Sequence, residues 1–459
     1  MGIPGDASIA KQAEKPVLST PPAAGGAPPD VRSLAFALLG TFVLRSASYG
    51  AGSIIPIFLG LKNRTDPEVT AGLASFVAVT FYAAELLAAP IFGGLSDRYG
   101  RKPFIVLGPV FGGIAIQILG FSSVPFVLAL VRILEGLSTA SSAPATLGLI
   151  SAQTASSPRV RGRVMGFYEA ATVVGLASGA AVAGQLYERV GVPLAFTLLA
   201  AIYALAFGLF LFVRDHPVRS GLAERAHGSG VLKRLANPRI MRFAPAWLAA
   251  NAVLGVWLNV APFLAAGTPD PEQFLMGGYS PGQITATVLV FGVVFTVGAI
   301  AWGFVLPRIG RQATLLFGVT GLGFTSVMLW VLNDIAPRRA DPLLPLVAVM
   351  VALGVFVESG FTPAALGYLA EIAEEHAEDR GSVMGVYSVL LSVGQLVGAG
   401  LAGRFGEALG INGLILLTGL LTLVAGFTVV LLGRGERRHA RRVSAARAPG
   451  QARIEPAEG

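Results

Sequence analysis

Cysteine is absent from the 459 residues, and charged residues make up only 13% of them. The lack of cysteine excludes disulfides, thiolate metal sites, iron–sulfur clusters and cysteine nucleophiles. Soluble globular proteins carry about 25% charged residues, and disordered chains carry few apolar ones, so this composition excludes both classes. The four histidines all lie in polar stretches, which leaves carboxylates as the candidates for proton chemistry inside the apolar segments.

Long apolar stretches are what the sequence has in abundance, with 54% apolar residues and a mean hydropathy of +0.69. A helix that crosses the ~30 Å hydrocarbon layer needs ~20 apolar residues. Twelve stretches meet this length, at 33–60, 70–94, 103–122, 125–150, 163–186, 192–213, 241–266, 282–306, 313–333, 344–369, 382–404 and 412–432. They do not alternate as the strands of a β-barrel do. We therefore predict an all-α integral membrane protein with twelve transmembrane helices.

Polar segments divide the chain. The predicted regions are an N-terminal tail at 1–32, six helices at 33–213, a linker at 214–240, six helices at 241–432 and a basic tail at 433–459. With the N-terminus in the cytoplasm, 26 of the 34 basic residues fall on that side and 6 fall outside. This excess predicts that both termini, both tails and the linker are cytoplasmic. Because topology explains the basic charge, we expect the bilayer and no nucleic acid as a partner.

The two sets of helices resemble each other in sequence. Residues 162–192 align with 381–411 at an offset of 219, with 13 identities in 31 positions. An offset of 210 pairs Gly93, Arg98, Gly100 and Arg101 with Gly303, Arg308, Gly310 and Arg311. Duplicated halves in one direction place a binding site near the midplane between them.

The loop after the second span reads GGLSDRYGRK at residues 93–102. Its candidate functional residues are Gly93, Asp97, Arg98, Gly100, Arg101 and Lys102. All ten positions match the cytoplasmic loop signature of the major facilitator superfamily, and the chain resembles that superfamily over about 33–432. The second copy departs from the signature, because Pro307 stands in place of the Asp. The resemblance implies two pseudo-symmetric halves, and it implies that the Asp97 loop latches them on the cytoplasmic side in the outward-facing state.

Span four carries Arg132 and Glu135, which share a helix face at a spacing of three. A charged residue at membrane depth is costly and is a functional candidate by default. Arg132 followed by Gly136 resembles a superfamily motif that is associated with proton coupling. The alternative is a self-neutralising pair that only tolerates burial. Further proton-coupling candidates at membrane depth are Glu85, Glu169 and Glu358.

Polar and aromatic residues on spans one, seven and ten are candidates for the substrate cavity. They are Arg45, Tyr49, Asn251, Trp257, Asn259 and Glu358. Interhelical hydrogen bonds, and one ion pair between Arg45 and Glu85, are the alternatives. Glu358 precedes Gly360 and Pro363, where the helix is expected to bend.

Small residues spaced for close helix packing recur on the fifth span of each half. The candidates are Gly175, Gly179, Gly184, Gly394, Gly398 and Gly403. The pattern resembles a motif of multidrug/proton antiporters, but Ala180 stands where those families have proline.

Together these features predict a secondary active transporter that works by alternating access and is not an enzyme. We expect proton-coupled efflux of small amphipathic or lipophilic compounds by a monomer in a bacterial-type inner membrane, with no cofactor and no metal. The alternatives are a proton symporter or a lipid or organic-anion transporter of the same fold, and more remotely a transporter-like membrane sensor.

Overall fold

The computed structural model describes residues 30–119, 124–154, 158–215, 237–334, 342–374 and 380–447. The first set of helices is α1 Val31–Asn63, α2 Ala71–Tyr99, α3 Arg101–Leu119, α4 Pro125–Gln153, α5 Pro158–Val190 and α6 Val192–Leu211. The second set is α7 Pro238–Asn259, α8 Ala261–Ala266, α9 Pro281–Ile309, α10 Arg311–Asp334, α11 Leu344–Glu358, α12 Phe361–Glu374 and α13 Arg380–Arg447.

Eleven helical stretches within the described residues are long and apolar enough to cross a membrane. The last of them, Val389–Gly435, has 47 residues, more than twice the ~20 that one crossing needs. Its helix is broken at Gly410, whose φ of 61° is not helical. The predicted spans 382–404 and 412–432 lie on the two sides of this break, so the difference between eleven stretches and twelve predicted spans arises in α13.

Several helices extend beyond the predicted spans. The clearest case is α13, which stays helical to Arg447, so the first part of the predicted tail at 433–459 is helix. Residues 1–29 of the predicted N-terminal tail, 216–236 of the linker and 448–459 lie outside the described residues.

The repeat seen in the sequence is also present in the backbone. Gly100 and Gly310, which the offset of 210 pairs, have φ of 97° and 83° at the turns after α2 and α9. Gly191 and Gly410, which the offset of 219 pairs, have φ of 76° and 61°. Positive φ is a conformation that glycine adopts without a steric penalty. The same tight turns therefore follow the second and fifth long helices of each set.

Equivalent helices pack against each other in both sets. In the first set α1 contacts α5, and α4 contacts α2 and α3; in the second set α7 contacts α13, and α11 contacts α9 and α10. The sets meet where α2 packs on α13, α5 on α9 and α1 on α8. The central interface is therefore formed by equivalent helices of the two sets.

Among the described residues, the contacts between the two sets concentrate toward one face of the bundle. We call the face where α1 begins and α2 ends the termini face, and the face where α1 ends and α2 begins the opposite face. One apolar core joins the sets near the opposite face, where Ala71 and Val77 share a cluster with Val260, Ile284 and Ala402. Near the termini face separate clusters form, one around Ile150 and Tyr168 and one around Phe243 and Trp247.

Candidate functional site

A buried ion pair lies in the middle of α4. Nη1 of Arg132 is 2.7 Å from Oε2 of Glu135, and the two residues are only 5% and 1% exposed. The Arg132 guanidinium also lies 4.5 Å from the centre of the Phe81 ring on α2, within the range of a cation–π contact. Oε1 of Glu135 and Nε of Arg132 have no hydrogen-bond partner among the described residues, so the pair keeps unused capacity for a proton or a water.

Arg45 on α1 is the second guanidinium of this region. It interacts electrostatically with Glu85 on α2, with Glu169 on α5 and with the hydroxyls of Tyr49 and Tyr168. Glu85 is also within electrostatic reach of Arg132 on α4. Arg45 and Glu85 form no direct ion pair in the described structure. The first set therefore holds two guanidinium groups and three carboxylates in one connected cluster.

A hydrogen bond joins this cluster to the second set. Nδ2 of Asn259, at the end of α7, donates to the Tyr82 hydroxyl on α2 at 3.1 Å and to the Gly255 carbonyl at 2.9 Å. Tyr82 precedes Glu85 by three residues and so shares its face of α2. The contact between the sets thus lies close to the carboxylate of Glu85.

The tenth predicted span is interrupted beside Glu358. Helix α11 ends at Glu358, and α12 begins at Phe361. Pro363 has no backbone N–H, so the helical bond to residue 359 cannot form. The indole N–H of Trp302 on α9 instead donates to the Phe356 carbonyl at 3.0 Å, which satisfies one acceptor near the break. Glu358 is therefore held at a discontinuity in the helix.

Glu358 lines a small cavity of about 40 Å³. The cavity walls include Trp247, Asn251, Phe295, Phe361 and Thr362. Such a volume is enough for a few water molecules and is far below the ~300 Å³ of a drug-sized pocket. Thr325 on α10 interacts with the Glu358 carboxyl group, and Glu358 has no ion pair within the described residues.

The remaining predicted cavity residues divide between two places. Asn251 lines the Glu358 cavity, and its Nδ2 donates to the Trp247 carbonyl at 2.8 Å. Tyr49 lies instead with Arg45 in the first set. Trp257 packs against the apolar core, and its Nε1 donates to Thr418 at 2.9 Å, so it is not brought to either charged group.

The predicted latch loop contacts its own set of helices. Oδ1 of Asp97, in the last turn of α2, is 3.2 Å from Nη2 of Arg101. The backbone N–H groups of Arg101 and Lys102 both donate to Oδ2 of Asp215, the second at 3.2 Å. Nζ of Lys102 donates to the Leu211 carbonyl at 2.7 Å. A carboxylate beyond α6 thus caps the start of α3.

The other residues of this loop are placed differently. Arg98 is exposed, with its guanidinium 5.4 Å from the Tyr99 ring centre. Gly100 forms the turn, and a Cβ atom at Gly93 would lie 3.7 Å from Cβ of Pro144 on α4. The loop therefore lies at the termini face.

The six predicted packing glycines form three pairs related by the repeat. They are Gly175 and Gly394, Gly179 and Gly398, and Gly184 and Gly403. The first two pairs lie where the fifth long helix of each set touches its first, α5 against α1 and α13 against α7. The third pair lies between the sets, with Gly184 against Thr285 of α9 and Gly403 against Ser75 of α2.

Sequence reasoning misses several residues of the site. Tyr82 could have been found from its spacing to Glu85, and Tyr168 from its place beside Glu169. Thr325 and Asp215 carry no local signal, because their roles depend on contacts with distant helices. Among the described residues no group of three or more His, Cys, Asp and Glu side chains could hold a metal ion.

Two repeated sets of membrane-length helices, with charged side chains collected between them, define a polytopic membrane protein with duplicated halves. The chain belongs to the Major Facilitator Superfamily, because the sequence model of that family matches residues 37–277 and again 271–457.

Named relatives and solved structures agree with this assignment. The synaptic vesicular amine transporter of Mus musculus is 26% identical over 369 residues, 79% of this chain and 66% of the relative. Multidrug resistance protein MdtG of Salmonella newport is 25% identical over 61% of this chain and 66% of the relative. The chain thus spans slightly less than two thirds of the length of these relatives.

The fold is similar to that of two solved transporters. The crystal structure of the nucleoside transporter NupG has a TM-score of 0.65 at 15% identity, covering 87% of this chain and 98% of that one. A bacterial homologue of the human lysosomal transporter Spinster, inward-facing and occupied, has a TM-score of 0.67 at 14% identity, covering 88% and 97%. At such low identity these likenesses concern the fold alone.

Proposed function

We propose that the chain is a secondary active transporter that works by alternating access and exports small amphipathic cations in exchange for protons. The observation that carries this proposal is Glu358, a carboxylate without an ion pair among the described residues, set at a helix break beside aromatic side chains. Family membership and the names of the relatives support the transporter class.

The orientation follows from the distribution of basic residues, 26 on the side of the termini against 6 on the other. We infer that the termini face is cytoplasmic and that α13 crosses the membrane twice, with Gly410 at the outer turn. The chain then has twelve spans. The sets meet at the opposite, outer face, so the structure corresponds to a state that is open toward the cytoplasm.

Proton coupling is assigned to the cluster of the first set. Arg132 and Glu135 form the buried pair, and Glu85 and Glu169 lie within reach of Arg45. A carboxylate at membrane depth can take up and release protons, as relays in pumps and transporters do. The guanidinium groups keep the cluster close to neutral in either protonation state.

Cargo recognition is assigned to Glu358. An ionised carboxylate in an apolar site is costly unless a proton or a cation neutralises it. The nearby rings of Trp247, Phe295 and Phe361 offer faces to a cation. Because the cavity is small, we infer that only the charged end of a substrate enters it, while the remainder lies in the space between the sets.

A second candidate is transport of an organic anion or lipid headgroup, favoured by Arg45 as a basic side chain at membrane depth. Arg45 already interacts with two carboxylates and two tyrosines, and this makes it a weaker anion site than an unpaired guanidinium. The two candidates differ in the sign of the charge that the cargo must carry.

The test is transport by purified protein in proteoliposomes with an imposed pH gradient. We expect ethidium and tryptamine, both cations, to cross the membrane in the direction opposite to the proton flow. The number of protons that cross should be proportional to the number of cations transported. Carboxyfluorescein, an anion, is the comparison substrate. Transport of carboxyfluorescein in place of the cations would instead support the second candidate.

A matched pair of variants assigns the roles. Glu358→Gln is expected to abolish cation-dependent proton flux, whereas Glu272→Gln, which alters an exposed loop carboxylate, is expected to leave it unchanged. Cation movement that is downhill and independent of the gradient would contradict proton coupling and indicate a uniporter.

A further inference from the structure

At the opposite face, helix starts of each set are capped by carboxylates of the other set. Oε1 of Glu188, near the end of α5, accepts the backbone N–H of Gly282 at the start of α9 at 2.8 Å. Oε1 of Glu407, in α13, accepts the backbone N–H of Gly72 at the start of α2, also at 2.8 Å. Each contact joins two helices that belong to different sets.

The two contacts are copies of one another. The offset of 219 residues pairs Glu188 with Glu407, and the offset of 210 residues pairs Gly72 with Gly282. A Cβ atom at either glycine would overlap the carboxylate that its N–H binds. The glycines therefore leave the space in which the carboxylates lie, and a larger residue would make the glutamate side chains move.

A third contact of the same kind has the opposite charge. Nε of Arg64, just beyond α1, donates to the carbonyls of Ala266 and Gly267 at the end of α8, at 2.8 and 3.2 Å. Helix starts favour negative groups and helix ends favour positive ones. All three charged side chains thus match the helix ends they meet across the interface.

We propose that Glu188 and Glu407, supported by Arg64, form a two-fold latch that holds the outer face closed, and that this latch must break each time the outer face opens. The inference rests on the alternating access and the orientation proposed above. It assigns to these residues a positioning role in the conformational cycle and no contact with cargo.

The latch is suited to a gate that opens in every cycle. Glu188, Glu407 and Arg64 are all exposed, and water competes with exposed charge contacts and weakens them. Loss of a side-chain cap at a helix start changes an equilibrium by about 5-fold. If the two carboxylate contacts act independently, loss of both is expected to change it by about 25-fold.

The absence of cysteine makes the latch directly measurable. Cysteines at Glu68 and Glu272, exposed residues in the outer loops of the two sets, can be spin-labelled without background. Their distance distribution reports whether the outer face is open. With no other substitution, we expect the labelled protein to show mainly short distances between the two labels. We expect Glu188→Ala/Glu407→Ala to shift the distribution toward long distances.

Two matched variants separate the latch from a general charge effect. Gly72→Ala/Gly282→Ala keeps both carboxylates but places a methyl group where each of them lies, so the side chains must move, and we expect a smaller shift to long distances. Asp334→Ala removes an exposed carboxylate at the end of α10, and we expect no shift. If Glu188→Ala/Glu407→Ala keeps the wild-type distribution, or if Asp334→Ala shifts it equally, the latch is overturned.

A conservative variant and a measurement without substrate separate the latch from effects on folding and on transport. Glu188→Gln/Glu407→Gln keeps an acceptor in each contact, is expected to fold as the wild type does, and should give a smaller shift in the same direction. The distances are measured without substrate or gradient. If the variants shift the distances but the protein transports none of the tested compounds, the latch is supported and the proposed cargo is overturned. If the protein transports the cations but no variant shifts the distances, the cargo is supported and the latch is overturned.

Discussion

The two halves of the molecule differ in whether their membrane carboxylates have basic partners. In the first set, Glu135 is paired with Arg132, while Glu85 and Glu169 lie within reach of Arg45. In the second set Glu358 has no ion pair among the described residues. A duplicated fold has thus diverged into one half whose membrane carboxylates lie beside guanidinium groups and one half whose carboxylate, as we propose, is neutralised by a proton or by cargo.

Removing the Arg132 guanidinium from the first set is expected to have the largest effect on stability and transport. Arg132→Leu leaves the Glu135 carboxylate buried without its partner, and breaking a buried pair in this way costs about 3–5 kcal/mol. We expect a clear loss of thermal stability in detergent together with loss of transport. The measurement is the unfolding midpoint of the purified protein, followed by intrinsic fluorescence.

The matched control is the double variant Arg132→Leu/Glu135→Leu. Replacing both members of a buried pair by apolar residues is often neutral, so the double variant should recover most of the stability that the single variant loses. A double variant as unstable as Arg132→Leu would show that the guanidinium contributes by its contact with Phe81 rather than by its pairing with Glu135.

Removing the charge of Glu358 in the second set is expected to lower transport without lowering stability. Glu358→Gln leaves no partner unpaired, so we expect an unfolding midpoint equal to or above that of the wild type. Cation transport should fall by about 30-fold or more, because the charge that meets the cargo is lost. Initial uptake rates over a range of substrate concentrations check this, and a large loss of stability would show a hidden partner of Glu358.

Much of this comparison was accessible from the sequence. The apolar spans, the repeat and the positions of Arg132, Glu135 and Glu358 all follow from local patterns, because spacing of three on a helix fixes a shared face. The break after Glu358 follows from Gly360 and Pro363 in the same way. Local pattern therefore predicts which residues lie at membrane depth.

Partners across helices were less accessible. The Asp215 contact with the start of α3 joins residues more than 100 positions apart, and the Tyr82 contact with Asn259 joins the two sets. Their geometry depends on how far the sets are tilted toward each other, which no single helix records. The bond from Trp257, a predicted cavity residue, to Thr418 also joins distant helices and carries no local signal in the sequence.

The termini face offers a smaller effect. Asp97→Asn removes the carboxylate charge that lies beside Arg101. The resemblance to the superfamily implies that this carboxylate latches the halves in the outward-facing state. We expect transport to fall by about 5-fold while membrane insertion and expression stay unchanged. Asp215→Asn, which alters the cap of α3 within one set, is the comparison variant, and equal loss in both would indicate local damage to the loop instead of a latch.

An effect of similar size is expected from a hydrogen bond that joins the charged cluster to the other half. Tyr82→Phe removes the acceptor of Asn259 but keeps the ring, and a net hydrogen bond is worth about 1 kcal/mol. Because the bond forms where the sets touch, its loss should favour the outward-open state by about 5-fold, measured by the distance between labels at Glu68 and Glu272. Tyr99→Phe, an exposed tyrosine at the termini face, should leave the distribution unchanged. An unchanged distribution in Tyr82→Phe would mean that Asn259 is satisfied by the Gly255 carbonyl alone and that the balance between conformations is set by the outer helix ends.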